Sequence, residues 1–327
     1  MKTSLTFTAF TTFAAALVSA GLAYSQQPNP NVHLEMLPVQ NNIYMLAGAG
    51  GNITVQVGKD GILLVDSGLA EMEPYVMAEI RKLSAAPLLY IINTHVHPDH
   101  VGGNAAMSGH TSNLAGDSSN NARVEGNEAL KIIGHENVLN RMTTPVGKET
   151  PPLQYGLPED EYATAFKDLR FNGEGIVIYH EPKAHTDGDS IVFFRASDVV
   201  STGDIFTPGG YPFIDLERGG SINGEVDALD HILDLTIPGH TQEGGTYVIP
   251  GHGRICDEAD VVEFRDMVVI IRDRIRTMIK KDMTLDQIKA ARPSLDYDTE
   301  YVKPNSFVKA DAFVESIYKS LKASEAR

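Results

Sequence analysis

The run Thr94-His95-Val96-His97-Pro98-Asp99-His100-Val101-Gly102-Gly103 constrains this chain more than any other stretch. Three imidazoles and a carboxylate fall within six residues, directly after the apolar run Leu88 to Ile92. That run reads as a buried strand. Asn93 and Thr94 end it, and Pro98 with the Gly pair holds the next residues in a tight turn. The His-rich segment is therefore expected in a loop at a strand end, where a rigid element aims several side chains at one point. Imidazole suits zinc, copper, iron and nickel, and a carboxylate adds a hard oxygen donor.

The flanking sequence reads as layered α/β architecture. From Glu35 to Asp66 it predicts strands, at Ile43 to Ala47, Asn52 to Val57 and Ile62 to Asp66, joined by hairpin chemistry at Gly48-Ala49-Gly50-Gly51 and Lys59-Asp60-Gly61. Pro74 to Leu83 has helical spacing through Val76, Ile80 and Leu83, with Pro87 just beyond. Residues 108 to 128 are rich in Ser, Asn and Gly and read as a surface insertion. Residues 143 to 161 read as a Pro-containing loop. Strands return at Gly175 to His180, Ser190 to Phe194, Val199 to Thr202 and Thr246 to Ile249, with a helix over Asn223 to Leu235. Helices are predicted over Asp257 to Lys281, Leu285 to Ala291 and Phe307 to Leu321. Strands mixed with covering helices point to packed layers rather than a helical bundle.

Residues 1 to 25 differ from the rest. Lys2 is their only charge, and a Thr-rich apolar stretch runs from Leu5 to Val18 before small residues. This pattern predicts a secretory signal peptide and a periplasmic or secreted protein with no membrane contact after cleavage. Residues 26 to 327 then form one domain, ending in a helical segment from about 257. A formal net charge of −16 argues against nucleic acid as a partner and leaves a small-molecule substrate as the expectation. The single cysteine, Cys256, permits no internal disulfide and no cysteine metal cluster.

Four more polar residues share one context, each following an apolar strand at a turn containing Gly or Ser. They are Asp66 after Ile62-Leu63-Leu64-Val65, His185 in Ala184-His185-Thr186-Asp187-Gly188, Asp204 after Val199-Val200-Ser201-Thr202-Gly203, and His252 after Tyr247-Val248-Ile249-Pro250-Gly251. Strand ends in adjacent sheets would bring them to one rim. In this order the set resembles the metallo-β-lactamase-fold hydrolases, which show an Asp at a strand end, H-x-H-x-D-H, then His, Asp and His. The resemblance runs from about Asn41 to Arg254 and implies an αββα sandwich with the site at one edge of its sheets. It implies that His95, His97 and His185 hold one metal, that Asp99, His100 and His252 hold a second, and that Asp204 bridges them. Two zinc ions are the implied cofactors, with iron or manganese as the alternatives. Asp99 and Asp66 are the residues assigned to catalysis. Asp66 is expected to orient the His loop by hydrogen bonds without touching metal. The other histidines, His33, His110, His135, His180, His231 and His240, are expected to be non-ligands in at least five cases. His252 is preferred over His240, although Pro238-Gly239-His240 mimics its context, because a clearer strand precedes it.

The resemblance implies a dinuclear zinc hydrolase in which a bridging hydroxide attacks an ester, lactone, thioester or amide carbonyl. Two metals about 3.5–4 Å apart suit such chemistry, and metal lowers the pKa of water to roughly 7. A periplasmic β-lactamase is one alternative, but zinc β-lactamases of this fold usually carry Cys, or no acidic ligand, at the position of Asp204. An Asp there is similar to glyoxalase II and the lactonases. An iron-dependent redox enzyme resembling persulfide dioxygenases and a non-catalytic metal-binding protein are the others. Substrate choice is expected to reside in the loops Gly48 to Asn52, 108–128, 143–161 and Thr207 to Ile222. In the last of these, Tyr211, Phe213 and Ile214 are read equally as a pocket wall or as core.

Overall fold

A computed structural model describes residues 32–109, 130–144, 155–239, 244–304 and 306–325. The signal-peptide segment, His110, His240, most of the 108–128 insertion and part of the 143–161 loop lie outside the described residues. Residues His33–Arg327 belong to one compact unit, which carries every element named below.

Its strands in chain order are β1 (Glu35–Gln40), β2 (Ile43–Ala47), β3 (Ile53–Val57), β4 (Ile62–Val65), β5 (Leu88–Ile92), β6 (Lys131–His135), β7 (Asp160–Tyr162), β8 (Phe166–Phe171), β9 (Glu174–Glu181), β10 (Asp189–Phe194), β11 (Val199–Ser201) and β12 (Tyr247–Ile249). Its helices are α1 (Glu73–Leu83), the short α2 (Pro98–Val101) and α3 (Asn104–Met107), α4 (Glu136–Thr143), α5 (Ile222–Leu235), α6 (Glu258–Ile279), α7 (Leu285–Ala291), α8 (Leu295–Tyr301) and α9 (Ala310–Glu325). One sheet has the order β1-β2-β3-β4-β5-β6-β7 and the other β12-β11-β10-β9-β8.

Strand periodicity explains the layering. Successive side chains of a strand point to opposite faces, and both faces of β4 are apolar. Leu63 and Val65 pack between the sheets with Ile92, Ile133, Ile178, Val192, Phe194 and Ile249. Ile62 and Leu64 turn outward, onto Val76 and Ile80 of α1. On the far side, Ile191, Val200 and Val248 of the second sheet pack against residues of α5, α6 and α9, among them Leu229, Phe264 and Phe313. The result is the expected αββα sandwich, with a core on both outer faces as well as between the sheets. The long helices start where their sequences supply caps. Ser221 accepts from the Gly224 N–H, and Asp257/Asp260 and Thr284/Gln287 form capping boxes at α6 and α7. Among the described residues, no helix is long and apolar enough to cross a membrane.

Several elements depart from the sequence reading for identifiable reasons. β7 lies in a segment read as loop, because three residues pairing with β6 at a sheet edge need no hydrophobic pattern. β8 carries Lys167, Asp168 and Arg170 as the other sheet's edge, where side chains reach water. β6 and α4 follow one another without a loop, His135 ending the strand and capping the helix by accepting from the Asn137 N–H. The last helix starts at Ala310 rather than Phe307, which leaves Phe307 in the preceding turn.

The connections put the polar turns on one edge. β4 and β5 are parallel, so Asp66 and the His loop leave the first sheet together. β11 and β12 are parallel, so Asp204 and His252 leave the second sheet together. β10 is antiparallel to β11, so the turn entering it, which carries His185, lies at that same edge. The two edges are tied by the Ser190 N–H donating to the Thr94 carbonyl (2.8 Å) and the Asn52 N–H donating to the Gly251 carbonyl (2.7 Å). The Asn52 amide also donates to the carbonyls of Pro250 and Gly253, at 3.0 Å each, gripping the turn that carries His252.

Candidate metal centre

At this edge the seven residues form two groups of donors: His95, His97, His185 and Asp204, and Asp99, His100 and His252. In the first, His97 Nδ1 lies 3.2 Å from His95 Nε2 and 2.9 Å from His185 Nε2. In the second, His252 Nε2 is 3.2 Å from Asp99 Oδ2, and His100 Nε2 is 3.7 Å from the same oxygen. Asp204 faces both. Its Oδ2 is 3.8 Å from His95 Nε2 and from His185 Nε2, and its Oδ1 is 3.2 Å from His100 Nε2 and 3.5 Å from His252 Nε2.

The outward-facing ring atoms assign the tautomers. A carbonyl or carboxylate only accepts, so a ring nitrogen bonded to one carries the proton, and a neutral ring's other nitrogen keeps its lone pair. His185 Nδ1 donates to the Phe213 carbonyl. His97 Nε2 donates to Asp215 Oδ2 at 2.9 Å, and His100 Nδ1 to Asp66 Oδ2 at 2.7 Å. Thr94 gives its hydroxyl proton to Asp66 (2.7 Å) and so accepts from His95 Nδ1 (3.0 Å). The Nε2 atoms of His95, His185 and His100 and the Nδ1 of His97 thus face inward.

Electrostatics agree with a cation-binding role. Burial, reinforced by neighbouring imidazoles, drives His95 well below the usual imidazole range, and burial drives His185 down to about 4. These rings stay neutral and can donate lone pairs. Burial works against the Asp204 carboxylate, but His100 and His252 overcome it and hold that group well below the usual range. Burial likewise opposes charge on His100 and His252, yet Asp204 draws both upward, with Asp66 adding to it at His100 and Asp99 at His252, the latter to about 9. The anionic field that attracts those protons would attract a metal ion equally. Asp204 Oδ1 and His100 Nε2 are buried without a hydrogen-bond partner, which buried polar atoms rarely are. A donor set rich in imidazole nitrogen with carboxylate oxygens fits zinc and also admits iron or manganese.

Glycine makes the close approach feasible. A Cβ on Gly51 would sit 2.4 Å from His100 Cε1, and one on Gly251 would sit 2.0 Å from Asp204 Oδ1. The hairpin Gly48–Gly51 thus presses backbone against the site.

Asp66 lies behind the donors and belongs to neither group. At a φ of 66°, its carboxylate accepts from the Thr94 N–H (2.8 Å), the Thr94 hydroxyl and His100. Of the remaining described histidines, none falls in either donor group. His135 and His180 stack on each other with centroids 3.4 Å apart, and His231 pairs with Glu181. Cys256 is buried, and burial pushes its thiol up to about 12.

Sequence reasoning missed Asp215. Its Oδ1 accepts from the backbone N–H groups of Glu217 and Arg218, as a capping residue should. Its Oδ2 holds His97 and is itself held by Arg218 at 2.8 Å. The Leu-Glu-Arg segment after it shows only the cap. Asp215→Ala is expected to cost about 10–100-fold in zinc affinity, the usual penalty for losing a group that orients a ligand. Chelator-competition titration measures it, with circular dichroism checking the fold, and wild-type affinity would show that His97 needs no such support.

Comparison with known proteins agrees with this geometry. Residues 46–240 match a model of the metallo-beta-lactamase superfamily. Similar solved structures include the stereoselective inverting sec-alkylsulfatase Pisa1 from Pseudomonas sp., at 15% identity and TM-score 0.64, covering 88% of this chain and 50% of that one. They also include a metallo-beta-lactamase from Pontibacter korlensis, at 14% identity and TM-score 0.54, covering 72% and 99% respectively. The DIM-1 metallo-beta-lactamase shares 16% identity at TM-score 0.53, covering 72% and 97%. The chain therefore spans half the length of the alkylsulfatase it resembles. At these identities the likeness is one of fold. No curated protein sequence matches the chain.

Proposed function

The chain belongs to the metallo-β-lactamase superfamily, and from that premise we propose that it is a dinuclear zinc hydrolase acting on the carbonyl of a small-molecule ester, lactone, thioester or amide. The observation that carries this reading is Asp204, which offers one carboxylate oxygen to each donor group. His95, His97 and His185 would hold one metal, Asp99, His100 and His252 the other, and Asp204 both. Zinc supplies Lewis acidity when bound, polarising the scissile group and lowering the pKa of water to roughly 7.

The protein's own residues do the positioning. Asp66, Thr94, Asp215 and the Phe213 carbonyl fix the rings that carry the donors, so little reorganisation is needed when charge develops. Asp99 and His252 are the more solvent-accessible members, with side chains 31% and 42% exposed, and they border the open cleft. Substrate therefore approaches from that side. Cys256, with its raised pKa and buried thiol, does not compete as a nucleophile. A second reading is sulfate-ester hydrolysis, favoured by the apolar cleft beside the donors and by the alkylsulfatase likeness.

A panel of p-nitrophenyl esters, lactones, thioesters, a chromogenic cephalosporin and secondary alkyl sulfates tests the proposal on zinc-loaded protein. We expect turnover of carbonyl substrates that chelation abolishes and zinc restores. Turnover of sulfates alone would move the protein to the second reading. No turnover with two metals bound would leave a binding protein.

A further inference from the structure

The cleft above the donors has a volume of ≈ 580 Å³, within the range of about 300–1,000 Å³ of small-molecule sites. Its floor is His97, Asp99, Asp204 and His252. Its walls are of another character. One comes from the segment expected to set substrate choice, Thr207 to Tyr211 with Phe213. The other comes from Ser306, Phe307 and Val308, between α8 and α9, outside the region matched by the family model.

The two walls meet in an aromatic pair. The Phe213 and Phe307 rings stand edge to face, with centroids 5.4 Å apart. Phe213 is anchored: its carbonyl accepts from His185, and its ring lies 5.9 Å from the His97 ring. Tyr211 and Ile214, by contrast, turn into the core, Tyr211 stacking on Tyr301 and Phe313. Phe307 is 86% exposed and Phe213 39%. Neither exposure serves the core. Burying such a ring stabilises a fold, so leaving Phe307 in water forgoes stability available from packing. The pair forms an apolar track leading from the His97 side of the donors to solvent. Lys303 lies outside it, Nζ 3.7 Å from where a Cβ on Gly209 would stand.

We infer that Phe213 and Phe307 bind the apolar arm of the substrate, a medium-chain alkyl or aryl substituent on the carbonyl that is cleaved. This rests on the hydrolase reading above. Tyr211 backs the wall, and Phe307 determines specificity without touching the reacting group.

The test is a chain-length series of p-nitrophenyl acetate, butyrate, hexanoate and octanoate on the zinc-loaded full chain. Each buried methylene is worth at most about fourfold. We expect kcat/KM to rise at least about tenfold from acetate to hexanoate, mainly through KM. Phe307→Ala should at least halve the slope of log kcat/KM against chain length, and Phe307→Leu should keep most of it. A flat wild-type series with chelator-sensitive acetate cleavage would overturn this inference while leaving the hydrolase intact, as would an unchanged slope in Phe307→Ala. Absence of metal-dependent cleavage across the series would overturn this inference, and its absence from the lactones and thioesters as well would sink the hydrolase reading with it.

Discussion

Asp204→Ala is expected to cut hydrolysis by well over a hundredfold and to lower the bound zinc from two ions per chain to at most one. Residues that merely orient a ligand typically cost about 10–100-fold when removed, and Asp204 faces both donor groups directly. Losing it also removes the anion that balances His100 and His252. Gly251→Ala should disturb the same carboxylate, because its added Cβ would sit 2.0 Å from Asp204 Oδ1. Metal analysis by inductively coupled plasma, alongside steady-state rates, measures both effects. Two zinc ions retained in an active Asp204→Ala protein would remove it from the bridge.

The second large effect is at Asp66. Its carboxylate collects three donors in a buried position: the Thr94 N–H, the Thr94 hydroxyl and His100 Nδ1. Alanine would strand all three, and breaking a buried ion pair from one side costs about 3–5 kcal/mol. Asparagine is the sharper probe. It keeps the shape, but its NH₂ must face a donor that now meets carboxylate oxygen. Asp66→Asn should therefore weaken zinc binding about 10–100-fold at the site containing His100, with a smaller loss in urea stability. Wild-type zinc affinity in Asp66→Asn would show that the hydrogen bonds do not orient the donors.

The convergence of the seven residues was legible in sequence because each sits in a turn at a strand end. His95 to His100 follow a continuous apolar strand, Asp204 and His252 follow β11 and β12, and His185 lies in the turn that enters β10. Strands of known direction deliver their ends to known edges, so order along the chain carried spatial information. The αββα layering was legible for the same reason: β4, β5 and β10 are apolar on both faces, as strands covered on both sides must be. The missing parts depend on contacts with no local signature. Asp215 falls in the loop Thr207 to Ile222, where one oxygen serves the local backbone, and only its second oxygen reaches His97, 118 residues away. Asn52 reads as the first residue of a strand, yet it grips a turn 198 residues on. Phe307 reads as the first apolar residue of a helix, but α9 begins at Ala310 and leaves it in the cleft wall. β7 and β8 were obscured because edge strands tolerate charge on the side facing water.

Everything proposed for this edge depends on two metals held through one shared carboxylate. Native mass spectrometry of the full chain, titrated with zinc after verified chelation, tests that arrangement most directly. A shared Asp204 predicts a plateau at two zinc ions per chain, falling to one or none in Asp204→Ala. A wild-type plateau at one ion, or none, would contradict it.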